Sequence, residues 1–90
     1  MPVLKVTPLM RYYTDNHAES PVDGGTVIEA LKDAVEKYPA LKVHVFDSEG
    51  KLRRHINVFV NDENIRDLKG LETELKEDDR ITLLASISGG

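Results

Sequence analysis

The sequence ends "ITLLASISGG", and the group best suited to chemistry there is the carboxylate of Gly90 rather than any side chain. Glycine has no Cβ, so Gly89 and Gly90 add nothing to a core and hold the backbone weakly. Read as structure alone, the pair would be a frayed end. Read as chemistry, it would carry a carboxylate through a channel whose walls bulkier residues would strike. An extended chain advances about 3.3–3.6 Å per residue, so four residues past a final strand reach roughly 13 Å. Such a tail could enter the nucleotide site of another protein. A carboxylate is inert to nucleophiles until it is activated. Attack on the α-phosphate of ATP would make it an acyl adenylate, which a sulfur or amine nucleophile can then take.

The other reactive residue types form no comparable arrangement. His17, His44 and His55 fall in three separate segments, without the i, i+4 spacing that puts two metal ligands on one helical face. They read as structural or surface histidines, and no metal site is expected. Glu77-Asp78-Asp79 lies in a turn-forming stretch, whereas a catalytic carboxylate pair would need a pocket to shift a pKa. Gly24-Gly25 lacks the surrounding pattern that cradles phosphate, and no nucleophile elbow occurs. There is no cysteine to serve as nucleophile, zinc ligand or disulfide partner. No residue is a catalytic candidate and no bound cofactor is expected. The chain reads as something acted upon.

The elements that would position the tail are legible in outline. Residues 2–12 are rich in β-formers and read as a strand broken near Pro8. "TDNHAESPVDGG" is dense in turn formers and leaves room for a short returning strand. Thr26 stands three residues before Glu29, the spacing of a capping box. Val27, Ala30, Leu31, Ala34, Val35 and Tyr38 then recur at intervals of three and four, the period of one apolar helical face, until Pro39 stops it. Leu41, Val43 and Val45 alternate like a strand, yet a helical continuation also fits before the turn at Glu49-Gly50. In "HINVFVND", Ile56, Val58 and Val60 share one strand face and Asn57, Phe59 and Asn61 the other. "NDEN" turns the chain and "IRDL" reads as a small edge strand. "GLETELKEDD" is polar and turn-rich, and "RITLLAS" is the last strand, with Ile81 and Leu83 opposite Thr82 and Leu84. One main helix on one face of a mixed sheet makes an α+β layer pair. The open face, with Phe59 and Leu84 on it, is left for solvent or a partner.

Composition narrows the partners. Ninety residues make one domain, expected over 1–86, with a flexible tail over 87–90. Sixteen acidic against twelve basic residues give a formal net charge of −4, which argues against nucleic acid and suits partners with positive grooves. No apolar run approaches a membrane span, and "MPVLKV" is no secretory signal, so a cytoplasmic protein is expected.

Taken in order, "TVIEALKDAVEKYP" after a hairpin, "GKLRRHINVFVNDENIR", "GLETELKEDDRITLL" and the final "SGG" resemble the β-grasp sulfur carrier proteins of the MoaD, ThiS and CysO type, relatives of ubiquitin in fold. The resemblance covers the full length, and the middle pair of motifs is most similar to the CysO-like branch. It implies a cycle. An adenylating enzyme of the ubiquitin-activating type would use ATP to adenylate Gly90, and sulfur transfer would then leave a C-terminal thiocarboxylate. In the CysO-like branch the sulfur passes to a PLP-dependent cysteine synthase, and a metalloprotease clips the product from the tail. In the MoaD-like branch it enters a pterin synthase. A ubiquitin-like modifier, whose adenylate ends as an isopeptide bond on lysine, has the same requirements up to the nucleophile. Phe59, Leu84 and Ile87 are the expected partner-binding residues. Two departures stand out: Asp78 occupies a turn position where the family commonly has Gly, and Ser86 and Ser88 precede the glycines where proline or alanine is frequent. Asp tolerates φ > 0 better than most residues, so the turn is expected to survive.

Overall fold

The computed structural model describes residues 1–85; residue 86 and the tail with Ile87, Gly89 and Gly90 lie outside the described residues, as does the domain boundary expected there. Five strands form one sheet: β1 (Val3–Val6), β2 (Glu19–Pro21), β3 (Ile56–Val60), β4 (Glu63–Asn64) and β5 (Arg80–Ala85), in the spatial order β2-β1-β5-β3-β4. The chain therefore makes an α+β mixed sheet. β5 lies at its centre, parallel to β1 and antiparallel to β3.

The strand expected over 2–12 stops at Val6. The residue before a proline is held extended, as Thr7 is at ψ 162°, and Pro8 then opens a 3-10 helix over Pro8–Thr14. That segment ends in two left-handed residues, Asp15 and Asn16, which turn the chain into β2. Buried Thr14 holds the turn: its hydroxyl lies 2.7 Å from the His17 carbonyl.

Helix α1 (Val27–Lys37) begins and ends where the sequence puts it. Thr26 Oγ accepts from the Glu29 N–H at 3.4 Å, and Glu29 Oε1 accepts from the Gly25 N–H at 2.8 Å, one residue earlier than a reciprocal box would use. Pro39 stops α1 and also starts α2 (Pro39–Val45), where its missing N–H costs nothing at the first helical position. This resolves the ambiguous 41–45 stretch as helix, with Leu41 and Val45 buried and Val43 exposed. The small strand expected at "IRDL" is instead a 3-10 turn over Ile65–Asp67, preceded by β4. Asn64 caps that turn by accepting from the Arg66 N–H at 2.9 Å.

Val27, Ala30, Leu31 and Ala34 of α1 pack with Leu4, Val6, Ile56, Val58, Val60, Ile81 and Leu83 of the sheet in a single core, with Val35 partly buried against it. Every buried β3 and β5 residue is one the alternation assigned to the covered face, so the register is as read.

Candidate functional site

β5 carries the chain towards its C-terminus, and its neighbours fix what surrounds that exit. Ala85 pairs with Ile56, the first residue of β3, and Leu83 with Val6, the last of β1. Ala85, the last described residue, therefore stands at the end of the sheet that holds the start of β3 and the end of β1.

The open face follows from register. Glu19, Lys5, Thr82, Phe59 and Asn64 lie in one row across β2, β1, β5, β3 and β4. Leu84 faces Asn57 in the next row towards the tail, a diagonal step from Phe59. Phe59 and Leu84 are half-buried, and the residues around them are polar, so the apolar area is a pair of side chains rather than a broad patch. Away from the tail, a groove on this face is lined by Lys5, Asn61, Asp62, Asp78, Arg80 and Thr82.

The other residues singled out from sequence have structural roles. Asp79 Oδ2 accepts from the Lys76 N–H at 2.7 Å, and Asp79 Oδ1 accepts from the Asn61 amide at 3.1 Å, closing the turn before β5. Asp78 does not use the left-handed region, so the Gly-to-Asp departure calls on no tolerance of φ > 0. The histidines stay apart. His17 Nδ1 lies 3.0 Å from the Thr14 carbonyl, His44 stacks on Tyr13 with centroids 3.8 Å apart, and His55 precedes β3. Among the described residues no group of His, Cys, Asp or Glu is placed to hold a metal ion. Gly24 is required by packing, because a Cβ there would stand 2.5 Å from the backbone nitrogen of Ala30.

Two features escaped the sequence reading. In the loop after α2, Asp47 Oδ1 accepts from the N–H groups of Glu49 and Lys51, each at 2.9 Å. The Lys51 N–H holds its carboxyl below the usual value, helped by the Glu49 N–H and by the charges of Lys51 and Arg53. "DSEG" with Gly50 at φ 79° is the local signal for this turn. The second feature is the exposure of Leu9, Tyr12 and Val43 on the first 3-10 helix and α2. Reading 2–12 as strand hid the first two.

A five-stranded mixed sheet gripping one principal helix, with the last strand of the chain at its centre, defines a ubiquitin-like β-grasp protein. Solved structures agree. A chain of the Amycolatopsis orientalis BexX/CysO complex superposes with a TM-score of 0.89 at 33% identity, covering 100% of both chains. Small archaeal modifier protein 1 from Methanosarcina acetivorans superposes at 0.87 with 38% identity, over 99% of this chain and 95% of that one. Among curated relatives, the sulfur carrier protein CysO of Mycobacterium tuberculosis is 29% identical over 97% of this chain and 96% of its own length. The chain belongs to the ThiS family, whose pattern matches residues 8–90. It is accordingly a sulfur carrier protein and not an enzyme. Among the described residues, no helix is long and apolar enough to cross a membrane.

Proposed function

We propose that the chain carries sulfur as a thiocarboxylate on Gly90, in the cytoplasm, and delivers it to cysteine biosynthesis. The Gly90 carboxylate attacks the α-phosphorus of ATP in the site of a ubiquitin-activating-type enzyme, and pyrophosphate leaves. A sulfide equivalent then attacks the acyl carbon and displaces AMP. ATP belongs to the partner; the carrier itself holds no cofactor. Phe59 and Leu84 on the open face, with Ile87 beyond them, seat first the adenylating enzyme and then the acceptor. The acceptor is a PLP-dependent cysteine synthase, and a metalloprotease frees the product. The observation carrying this reading is the full-length likeness to CysO proteins combined with a central strand, β5, that is the last of the chain and precedes the Gly-Gly end in sequence. Delivery to a pterin synthase subunit is the next pathway, since the first chemical steps are shared.

A specific observation favours a second reading. The likeness to small archaeal modifier protein 1, at 38% identity, supports conjugation of the same activated terminus to lysines. Intact-mass analysis of protein from its native host separates the two. One oxygen replaced by sulfur marks a carrier, and ladders of larger conjugates mark a modifier. Deleting Gly90 tests the step common to both: ATP–pyrophosphate exchange with the adenylating enzyme is expected to vanish while thermal stability is unchanged. Full exchange by the shortened chain would remove the terminus as the reactive group.

A further inference from the structure

The arginines are not spread evenly over this acidic protein. Arg80 opens β5, at the end of the sheet remote from the tail. All the others stand at the tail end. Arg11 lies on the 3-10 helix that follows β1, and Arg53 and Arg54 lead into Ile56, the residue paired with Ala85. Arg66 joins them, its guanidinium donating to the Arg54 carbonyl at 3.3 Å. Arg53 Nε donates to the Val43 carbonyl at 2.8 Å, tying the group to α2. α2 in turn packs on the first 3-10 helix through the Tyr13–His44 stack. These elements thus stand at the end of the sheet that holds Ala85.

The charges at this end form no close ion pair, although Arg53 lies near enough to Asp47 to help hold its carboxyl below the usual value. Among the described residues, no carboxylate lies within ion-pair distance of Arg11, Arg53, Arg54 or Arg66. Of the acids in the same loops, Asp47 accepts backbone N–H groups and Glu49 sits 3.6 Å from Lys51, while Asp15 and Asp67 are exposed. Residues 51–61 and 81–90 contain no Asp or Glu. The opposite end holds Asp62, Glu63, Glu77, Asp78 and Asp79, around the start of β5 and the end of β3. Against those five acids stand Lys76, Arg80 and the N-terminal amine, which pairs with Glu77, so a charge dipole remains with its more positive end at Ala85. Exposed apolar side chains share that end: Leu9 is 66% exposed, Tyr12 84% and Val43 62%. Arginine and tyrosine beside apolar residues are the composition of an interface centre, whereas lysine is depleted there.

We propose that Arg11, Arg53, Arg54 and Arg66 form a basic collar around the root of the tail. The collar docks on an acidic rim at the mouth of the channel that receives Gly90. This rests on the tail-activation reading above and names the surface that orients it. Length decides what the arginines meet. Five residues follow Ala85, the last of them Gly90, and fully extended they would span roughly 17 Å. That distance is well beyond an arginine rooted at the strand end, so the collar meets the channel mouth and not the phosphates inside. The dipole turns the tail towards an acidic mouth during encounter, so the collar acts mainly on association.

The test uses the full chain and the host's ubiquitin-activating-type adenylating enzyme, measuring ATP–pyrophosphate exchange across a salt series. Arg54→Glu/Arg66→Glu should raise the KM for carrier on the order of ten-fold at low salt and leave the maximal rate unchanged. The gap should narrow as salt rises, because screening removes steering. Arg54→Lys/Arg66→Lys should stay close to wild type. Lys76→Glu/Arg80→Glu, the same charge change around the start of β5, should move KM far less, and circular dichroism melts check that each variant is folded. A reversal variant with wild-type KM and salt slope, or one no worse than the reversal at the start of β5, overturns the collar while leaving tail activation standing. A changed KM for ATP rather than for carrier also overturns it, since the arginines would then touch nucleotide. No exchange by wild type overturns both readings.

Discussion

On the covered face of the sheet, Leu4, Val6, Ile56, Val58, Val60, Ile81 and Leu83 are all buried under α1. On the open face the residues between them are Lys5, Asn57, Phe59, Thr82 and Leu84, none fully buried. Both sets obey the same period of two, yet one is uniformly aliphatic and the other mixed. The covered face answers to a partner within the chain, so its residues are explained by packing alone. The open face answers to something outside it. A half-buried aromatic beside a leucine and two polar residues makes little sense as core and good sense as a docking point.

Stability measurements can break that comparison. Leu31→Ala, on the helix face pressed into the sheet, should cost about 2–4 kcal/mol by urea unfolding. Phe59→Ala should cost about 1 kcal/mol or less while weakening the complex with the adenylating enzyme. The larger residue is thus expected to give the smaller stability effect. Equal losses would mean that Phe59 belongs to the core, and unchanged affinity would remove it from the interface.

A smaller effect sharpens the comparison within one dipeptide. A Cβ on Gly24 would meet the Ala30 nitrogen at 2.5 Å and the Glu29 carbonyl carbon at 2.8 Å, both in the helix backbone. A Cβ on Gly25 meets only the Glu29 Oε1 at 3.5 Å, an ordinary contact. Gly24→Ala should therefore cost about 1–3 kcal/mol, in the range of overpacking, and Gly25→Ala much less. Thermal melts of the two variants decide it, and similar shifts in both would show that the loop gives way freely.

The same division between inside and outside governs what the sequence made legible. α1, its cap and stop, and the faces of β3 and β5 depend on local pattern and were readable residue by residue. The first 3-10 helix was not, because "PLMRYY" follows a run of β-formers and ends in two more, Tyr12 and Tyr13, and only the docking of Met10 and Thr14 into the interior settles its course. Pro39 was read as a stop and was equally a start, since proline at the first helical turn satisfies both descriptions. Strand order had no local signal at all. The glycine tail announced its chemistry by residue type, whereas the collar of arginines is assembled from three separate stretches and appears only when β3, β5 and α2 are placed together.

The smallest effect expected in the covered layer is at the helix cap. Thr26 Oγ accepts from the Glu29 N–H at 3.4 Å, which is long for such a bond. The same turn is held by two shorter bonds: the Val27 N–H reaches the Thr73 carbonyl at 3.0 Å, and the Gly25 N–H reaches Glu29 Oε1 at 2.8 Å. Loss of one long bond among three should be felt weakly, so Thr26→Ala is expected at about 0.5–1 kcal/mol, the low end for N-caps. Glu29→Ala removes the shorter 25–29 bond and a carboxylate from the first turn of α1, where the helix dipole favours negative charge, and should cost as much or more. Chemical denaturation of both variants gives the order. If Thr26→Ala proves the costlier, the N-terminus of α1 depends on its own cap rather than on its ties to residues 25 and 73, and the covered layer is less self-supporting than its packing implies.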